Sequence, residues 1–428
     1  MDKKFFLLDF IWFDLIFSLT RVKEKNNSPS SASSSSSSPP SHEFMPPKSL
    51  MSMSLDKSSS GDRESMEVKE VLHMSRGDGE NSYAKASIYT QKVALVTKRM
   101  IASAVNSLLE EPFFPCELLN VVDLGCSSGP STSTFISTVI ETIESNCRGL
   151  GSTLPEVQFY LNDLPGNDFN TLFKNLSEFR RNFEGLSFFL MGAPGSFHER
   201  IFPQASLHLA HSSYSAQWLS QFPQLMTEGG SPLNKGKIYI SKTSPPKVME
   251  AYLAQFQEDC TNFLSCRSKE MVIGARLVLV LHVRNSADPA SDESCYPWES
   301  LAEAISSLVS EGLVEEEKLD TLNMPYYTAS QEELQQIVQQ EGSFTMEHIE
   351  TFALDIGGPS SGGEDPWISG KKHAKNVRSY TESILQHYLG EEVMDKLYDE
   401  KLAYLIGEYL VKEQIKGTNL VVILRKHS

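Results

Sequence analysis

An α/β fold with a doubly wound parallel sheet is the class this 428-residue sequence predicts. Three observations predict it: apolar, β-branched segments alternate with amphipathic stretches; one of them runs straight into a glycine turn and a Ser/Thr-rich helix start; and polar motifs follow one expected strand end after another. Strands are expected near 119–124, 157–162, 186–191, 207–212, 236–241 and 274–282, and helices at about 86–110, 131–146, 168–178, 214–222 and 246–269. The run Thr418–Arg425 follows a long helical region and reads as a last strand, antiparallel to the others. Residues 293–411, with amphipathic helices around 296–313, 330–340 and 374–411, are expected to form an α-helical cap over the crevice. The Gly/Ser/Pro/acidic stretch 356–366 inside it reads as an exposed, mobile loop.

Composition narrows the function. The formal charge of −17 and a pI near 5.1 argue against nucleic acid as a partner, because phosphate contacts need clustered Lys and Arg, and so point to a small ligand. The cysteines Cys116, Cys126, Cys147, Cys260, Cys266 and Cys295 lack the spacing of a disulfide framework or a zinc site, which fits a reducing, cytoplasmic setting. Residues 1–65 differ from the rest. The apolar stretch 5–18 is interrupted by Asp9 and Asp14 and falls short of the roughly twenty residues of a membrane span, so no stable span is expected. Residues 28–41 are nearly all serine and proline and read as disordered. Met45, Met51, Met53 and Met66 are alternative starts, so the head is expected to lie outside the working domain, 66–428.

The most informative segment is Val121–Thr132, VVDLGCSSGPST. Gly125 and Gly129 let the backbone approach a bulky ligand, and Asp123 stands at the carboxyl end of the strand, where open α/β sheets bind ligands. With only two glycines, four apart, the dinucleotide fingerprint is missing and an S-adenosylmethionine (SAM) site fits better. After the second strand, Asp163 is placed to accept hydrogen bonds from both ribose hydroxyls, while Asp168 reads as a helix cap. Gly192–Phe197 offers a turn, a hydroxyl and an aromatic face for an adenine ring. After the fourth strand, Tyr214, Gln217 and Trp218 should enter the same crevice, the amide and indole N–H groups being suited to orienting a carboxylate.

These motifs, with Met66–Met74, Gly79–Ala84, Ile238–Pro245, Glu311–Lys318 and Glu341–Phe344, resemble the plant SABATH methyltransferases, a family that methylates small carboxylic acids such as salicylate, benzoate and jasmonate. The resemblance covers nearly all of 66–428 and implies a Rossmann-like, SAM-dependent methyltransferase sheet, a homodimer, and SAM contacts from Tyr83, Ser87, Cys126, Asp163, Leu164, Ser196 and Phe197. It implies Trp218 as the carboxylate holder, with Tyr214 and Trp298 lining the substrate pocket. Thr90 stands where relatives have a carboxylate-clamping glutamine, with Gln91 one step later; Ser131 replaces a cofactor-facing asparagine and Ser75 a Lys or Asn. Gln217 occupies a position where acid-methylating relatives often carry His or Met and xanthine N-methylating relatives can carry Gln. His282–Ser286 lacks the glycine of the usual Leu-Gly-Arg turn. Relatives are described with a magnesium ion near segments that correspond here to Asn234 and to Asp320, Leu322 and Asn323, in a non-catalytic role.

A carboxylic acid of pKa about 4 to 5 is already ionised at neutral pH, so its methylation needs positioning and no catalytic base. The expected reaction is therefore formation of the methyl ester of a small plant carboxylic acid, jasmonate-like or salicylate-like. Gln217 and Thr90 keep open a xanthine-like N-methyltransferase, and the changes at Ser75, Thr90 and Ser131 a weakly active relative that only binds cofactor or acid.

Overall fold

The computed structural model describes residues 67–427, apart from 115, 184–186, 358–364 and 414. The serine-rich head 1–65 and most of the loop expected at 356–366 lie outside the described residues. In chain order the elements are α1 (Val68–Val71), α2 (Tyr83–Ala86), α3 (Ile88–Leu109), β1 (Leu118–Leu124), α4 (Ser131–Leu150), β2 (Glu156–Asp163), α5 (Phe169–Phe179), β3 (Phe188–Pro194), β4 (Leu207–Ser213), α6 (Pro246–Glu270), β5 (Met271–Val283), α7 (Asp292–Ser310), α8 (Glu316–Thr321), α9 (Gln331–Glu341), β6 (Phe344–Gly357), α10 (Pro366–Leu389), α11 (Ala403–Lys412) and β7 (Ile415–Lys426).

The sheet order is β3-β2-β1-β4-β5-β7-β6. The pairs β3–β2, β2–β1, β1–β4 and β4–β5 are parallel, and β7 lies antiparallel between β5 and β6. Chain order reverses at β1, which opens a crevice at the carboxyl ends of β1, β2 and β4. Strand residues alternate between two apolar layers. Leu277, Leu279 and Leu281 of β5 pack on the side of α6, α7 and α10, while Val278 and Val280 pack with α3, α4 and α5 on the other. Burial on both faces explains why β5 and β7 read as continuous apolar runs.

Local chemistry sets several boundaries. Asp168 caps α5 by accepting the Thr171 N–H at 3.0 Å, as its sequence position predicts. Gly151, at φ 63°, ends α4, and Ser330 with Glu333 forms a capping box on α9.

Four expectations are corrected. Residues 236–241 form no strand: Ile238, Tyr239 and Ile240 are buried, but in an irregular segment whose Tyr239 carbonyl accepts from the Asn234 side chain at 2.9 Å. Residues 214–222 form a turn instead of a helix; Tyr214 takes φ 58°, and the Trp218 N–H returns to the Ser215 carbonyl at 3.0 Å. The block expected as a purely helical cap contains β6, whose half-buried and exposed residues alternate along a charged edge strand. The helix expected over 374–411 is two helices, because Gly390 ends α10 and a π-helical turn, Lys396–Leu402, precedes α11.

One buried ion cluster ties α3 to the antiparallel end of the sheet. Glu111 accepts from Arg425 Nε at 2.6 Å and Nη2 at 2.9 Å, and from Arg276 Nη1 at 2.8 Å. Hydrogen bonds from Arg425, then from Arg276, hold its carboxyl down at about 2. The depression favours the folded state above the ordinary carboxylate value of 4.5 and is lost as pH falls toward 2, a term of about 3 kcal/mol. Glu111→Gln is therefore expected to destabilise by about 3 kcal/mol at pH 7, leaving Arg276 buried without its full charge partner. Urea titrations should show the difference from the parent shrinking between pH 4.5 and 2; a pH-independent difference would contradict this account.

Candidate functional site

Two cavities meet over the carboxyl ends of β1, β2 and β4. The first, of about 500 Å³, is walled by Gly125, Ser127, Asp163, Leu164, Ser196 and Phe197 among others. The second, of about 410 Å³, lies under the cap and is walled mainly by aromatic side chains. Met74, Tyr83, Tyr214 and Trp218 belong to both walls, so the cavities share one partition.

The first cavity is built on the turn after β1. Gly125, at φ 77°, and Cys126 both donate their N–H groups to the Asn162 carbonyl at 2.9 Å, folding the turn onto the end of β2. A Cβ on Gly125 would lie 2.1 Å from Ser215 Oγ, so only glycine fits there. Ser127 is held at φ 52°, a strained conformation for a residue with a side chain, and this aims its N–H at Asp163 Oδ2, 2.7 Å away. Asp163 Oδ1 accepts the Leu164 N–H at 2.8 Å. Burial nevertheless raises the Asp163 carboxyl to about 6, because the two N–H groups offset only part of the lost hydration. Asn162 fixes the neighbouring loop through Ala193 and Gly195 carbonyls at 2.7 and 2.9 Å. Fully buried Arg267 on α6 holds it further, donating to the Phe197 and Glu199 carbonyls at 2.8 and 3.0 Å and to Glu270 at 2.7 Å. The result is a cradle with one partly satisfied carboxylate, a glycine-dependent turn and an aromatic face, which suits a nucleoside carrying vicinal hydroxyls.

Four expected cofactor residues stand behind this wall. Asp123 is corrected: it is buried, His211 Nδ1 lies 2.8 Å from its Oδ1, and its Oδ2 accepts the Thr132 hydroxyl at 2.8 Å, so both oxygens are spent inside the protein. Cys126 packs into the apolar layer with Phe135, and burial pushes its thiol well above the usual range. Ser87 is buried against Gly129, and Ser131 opens α4; neither lines a cavity. Their Oγ atoms are buried without a hydrogen-bond partner.

In the second cavity, Trp218 stands edge-on to Tyr326 at 5.2 Å between ring centroids and to Tyr380 at 6.3 Å, and Trp298 packs on Tyr326 at 5.1 Å. Tyr214 donates to Asn419 Oδ1, which the β7 register brings beside His282. Gln217, 2 % exposed, donates Nε2–H to the Tyr326 hydroxyl at 3.1 Å, while its Oε1 has no partner. Thr90 lines this cavity, its hydroxyl donating to the Ser87 carbonyl at 3.0 Å. Gln91 does not: one residue along a helix turns the side chain by about 100°, which takes it off the cavity face. Of the expected substrate residues the structure thus brings together Thr90, Tyr214, Gln217, Trp218 and Trp298, and leaves out Gln91. Sequence reasoning missed Tyr326, Tyr380, His282 and His373, which reach the cavity from distant segments and carry no local motif.

The segments compared with a magnesium site lie elsewhere. Asn234 is committed at both ends, Oδ1 accepting from Ser244 at 2.7 Å and Nδ2 donating to the Tyr239 carbonyl. Asp320 Oδ1 accepts the Gly236 N–H at 2.8 Å, and Leu322 is fully buried. Asn323 Oδ1 is a buried acceptor without a partner. One carboxylate oxygen of Asp320 and the Asn323 amide oxygen remain as donors there, a sparse set that a magnesium ion would have to complete with backbone carbonyls and water. Among the described residues no group of three or more His, Cys, Asp or Glu is placed to hold a metal. None of the described helices is long and apolar enough to cross a membrane.

Comparison with known proteins agrees with this architecture. The model of the SAM-dependent carboxyl methyltransferase family matches residues 69–427. A probable 7-methylxanthine methyltransferase of Theobroma cacao is 50% identical over 362 residues, 84% of this chain and 98% of that protein. A probable caffeine synthase of Camellia sinensis is 51% identical over 365 residues, 84% and 99% of the two chains. A 3,7-dimethylxanthine N-methyltransferase of Camellia sinensis var. assamica is 50% identical over 362 residues, 84% and 97%. Among solved structures, loganic acid methyltransferase with SAH superposes with a TM-score of 0.72 at 30% identity, covering 83% of this chain and 99% of that one. The chain belongs to the SAM-dependent carboxyl methyltransferase, or SABATH, family, and is a SAM-dependent methyltransferase.

Proposed function

We propose that this enzyme methylates a ring nitrogen of a methylxanthine-type purine, in place of the carboxylic acid that the sequence motifs suggested first. The carrying observation is Gln217: the residue lines the aromatic cavity, and its buried Oε1 lacks a donor. A carboxylate has no hydrogen to offer that oxygen and would face it with like charge; a purine N–H satisfies it. The flat faces of Trp218, Trp298 and Tyr326 suit a planar heterocycle. Half-identical relatives named for xanthine methylation support the same reading.

Asp163 would hold the cofactor ribose, with Ser196, Phe197, Leu164 and the Ser127 backbone around it. When bound, SAM supplies an electrophilic methyl group on a sulfonium sulfur. The protein's part is placement: the partition formed by Tyr83, Tyr214, Trp218 and Met74 sets the substrate against the first cavity and excludes water from the junction.

Incubation with methyl-labelled SAM and a panel of 7-methylxanthine, 3,7-dimethylxanthine, salicylate, benzoate and jasmonate tests the reading. Label is expected on a purine nitrogen; label on the acids alone would overturn it, and no label on any would favour the weakly active alternative. Gln217→Met should lower kcat/KM on the methylxanthine by about 5- to 150-fold, the roughly 1–3 kcal/mol of an unmade buried hydrogen bond. A gain on salicylate in that variant would strengthen the role of Gln217 in rejecting acids.

A further inference from the structure

Methylating a ring N–H leaves a proton to be disposed of, which ester formation from a carboxylate does not. Resting on the purine reading above, we propose that His282 is a catalytic residue that accepts this proton from the substrate nitrogen.

His282 lies near the end of β5, where its side chain enters the wall of the second cavity. Its ring lies 6.4 Å from that of Tyr214, nearly parallel at 23°, beside the partition between the cavities. No hydrogen bond to another described residue occupies either ring nitrogen. The other bases in the wall are spent. Glu293 Oε1 accepts the Asn285 and Ser286 N–H groups, both at 2.7 Å. Asp292 pairs with Lys242 at 2.5 Å. His373 has a backbone carbonyl against each ring nitrogen, Ser369 at 2.8 Å and Ile356 at 2.5 Å. Gln217 Oε1 can accept a hydrogen bond but is too weak a base to take the proton.

Burial lowers the His282 imidazole to about 4, so it is neutral at physiological pH and keeps a lone pair available. Such a base is weak toward the free purine. It is strong enough once the new bond begins to form, because positive charge on the substrate ring makes the N–H far more acidic. The ring nitrogen's electron pair forms the N–C bond to the methyl carbon, the C–S bond breaks with its pair left on sulfur, and the N–H electrons remain on the purine as the proton passes to His282. The resulting imidazolium is stabilised by Glu293, whose charge raises the His282 value, and by the face of Tyr214. It releases the proton to water when the cavity opens. The remaining titratable groups around it are Asp292, His373 and Lys416, from α7, α10 and β7, and the tyrosines of the wall.

The test compares the full-length enzyme with His282→Gln and His282→Leu, using 7-methylxanthine turnover, calorimetric binding of 7-methylxanthine in the presence of SAH, and kcat between pH 6 and 9. Glutamine keeps an acceptor and cannot take a proton. Binding by His282→Gln should stay within about threefold of the parent while kcat falls about 100-fold at pH 7. That loss should recover with rising pH as the substrate ionises unaided. His282→Leu should lose both binding and turnover. A parent that turns over the methylxanthine and a His282→Leu variant with unchanged kcat would overturn the proposal alone. So would a His282→Gln variant whose losses are equal in binding and kcat and insensitive to pH, which marks a structural role. A parent without methylxanthine turnover would overturn the substrate reading and the proposal with it.

Discussion

Asp163→Ala is expected to weaken SAM binding by about 10²- to 10⁴-fold while leaving a folded enzyme. Two charge-assisted hydrogen bonds to the ribose hydroxyls are each worth roughly 1.5–3 kcal/mol, and the variant forfeits both. The same carboxylate gives a pH signature. Its value is raised to about 6 by burial, so without ligand it protonates in the mildly acidic range and loses acceptor strength there. SAM affinity of the parent should fall as pH drops below about 6, and the variant's weak affinity should be nearly flat. The sign for stability is opposite. A raised carboxylate value penalises the folded state above 3.8, with the full cost present once pH exceeds about 6. The ligand-free parent should therefore gain stability on mild acidification, relative to Asp163→Ala, across that window. Calorimetric titrations from pH 5 to 8 check the affinity, and melting curves the stability. Unchanged affinity in a folded variant would remove Asp163 from the site.

Gly125→Ala is expected to abolish measurable methyl transfer and to lower stability by roughly 2–4 kcal/mol. The added carbon would sit 2.1 Å from Ser215 Oγ and 2.3 Å from Ser215 Cβ, at a φ of 77° that alanine adopts at a cost. Ser215 cannot swing away freely, because its hydroxyl donates to the carbonyls of Gly125 and Ser213, both at 3.1 Å. It lies in the turn that carries Tyr214, Gln217 and Trp218, so displacing it moves the cofactor cradle and the substrate wall together. A urea titration and an assay on the purified variant check both effects; parent-like turnover would mean the turn can relax without disturbing the partition.

Much of the sheet and of the turns that wall the first cavity was legible because both rest on short-range patterns. The strand–glycine–helix sequence at Val121–Thr132 places Gly125, and Asp163 follows directly from a strand end. Asp123 was legible as a strand-end carboxylate, but one strand period puts it on the side of buried His211, a partner 88 residues away that no local motif announces. The segment 236–241 has the apolar, β-branched look of a strand, yet its backbone is claimed by side chains such as Asn234 instead of a neighbouring strand. β6 was absent from the expected strands because its half-buried and exposed residues give it no continuous apolar run of the kind that marks β5 and β7. The aromatic cavity was the least legible part. Trp218 and Trp298 stand 80 residues apart and meet through Tyr326, so their shared role depends on tertiary packing. The substrate class followed suit: the motifs shared with acid-methylating relatives pointed to an ester product, whereas the free acceptor on Gln217 favours a purine.

The shared partition divides the labour between two kinds of structure. Its cofactor side is floored by the parallel strands and their turns, where a single Cβ is enough to jam the machinery. Its substrate side takes side chains from α7 and α10, but also from the turn after β4 and the end of β5, which carry Gln217 and His282. Exchanging one acceptor molecule for another therefore calls for changes at the sheet's own turns as well as in the cap, one peptide away from the contacts that hold the cradle together.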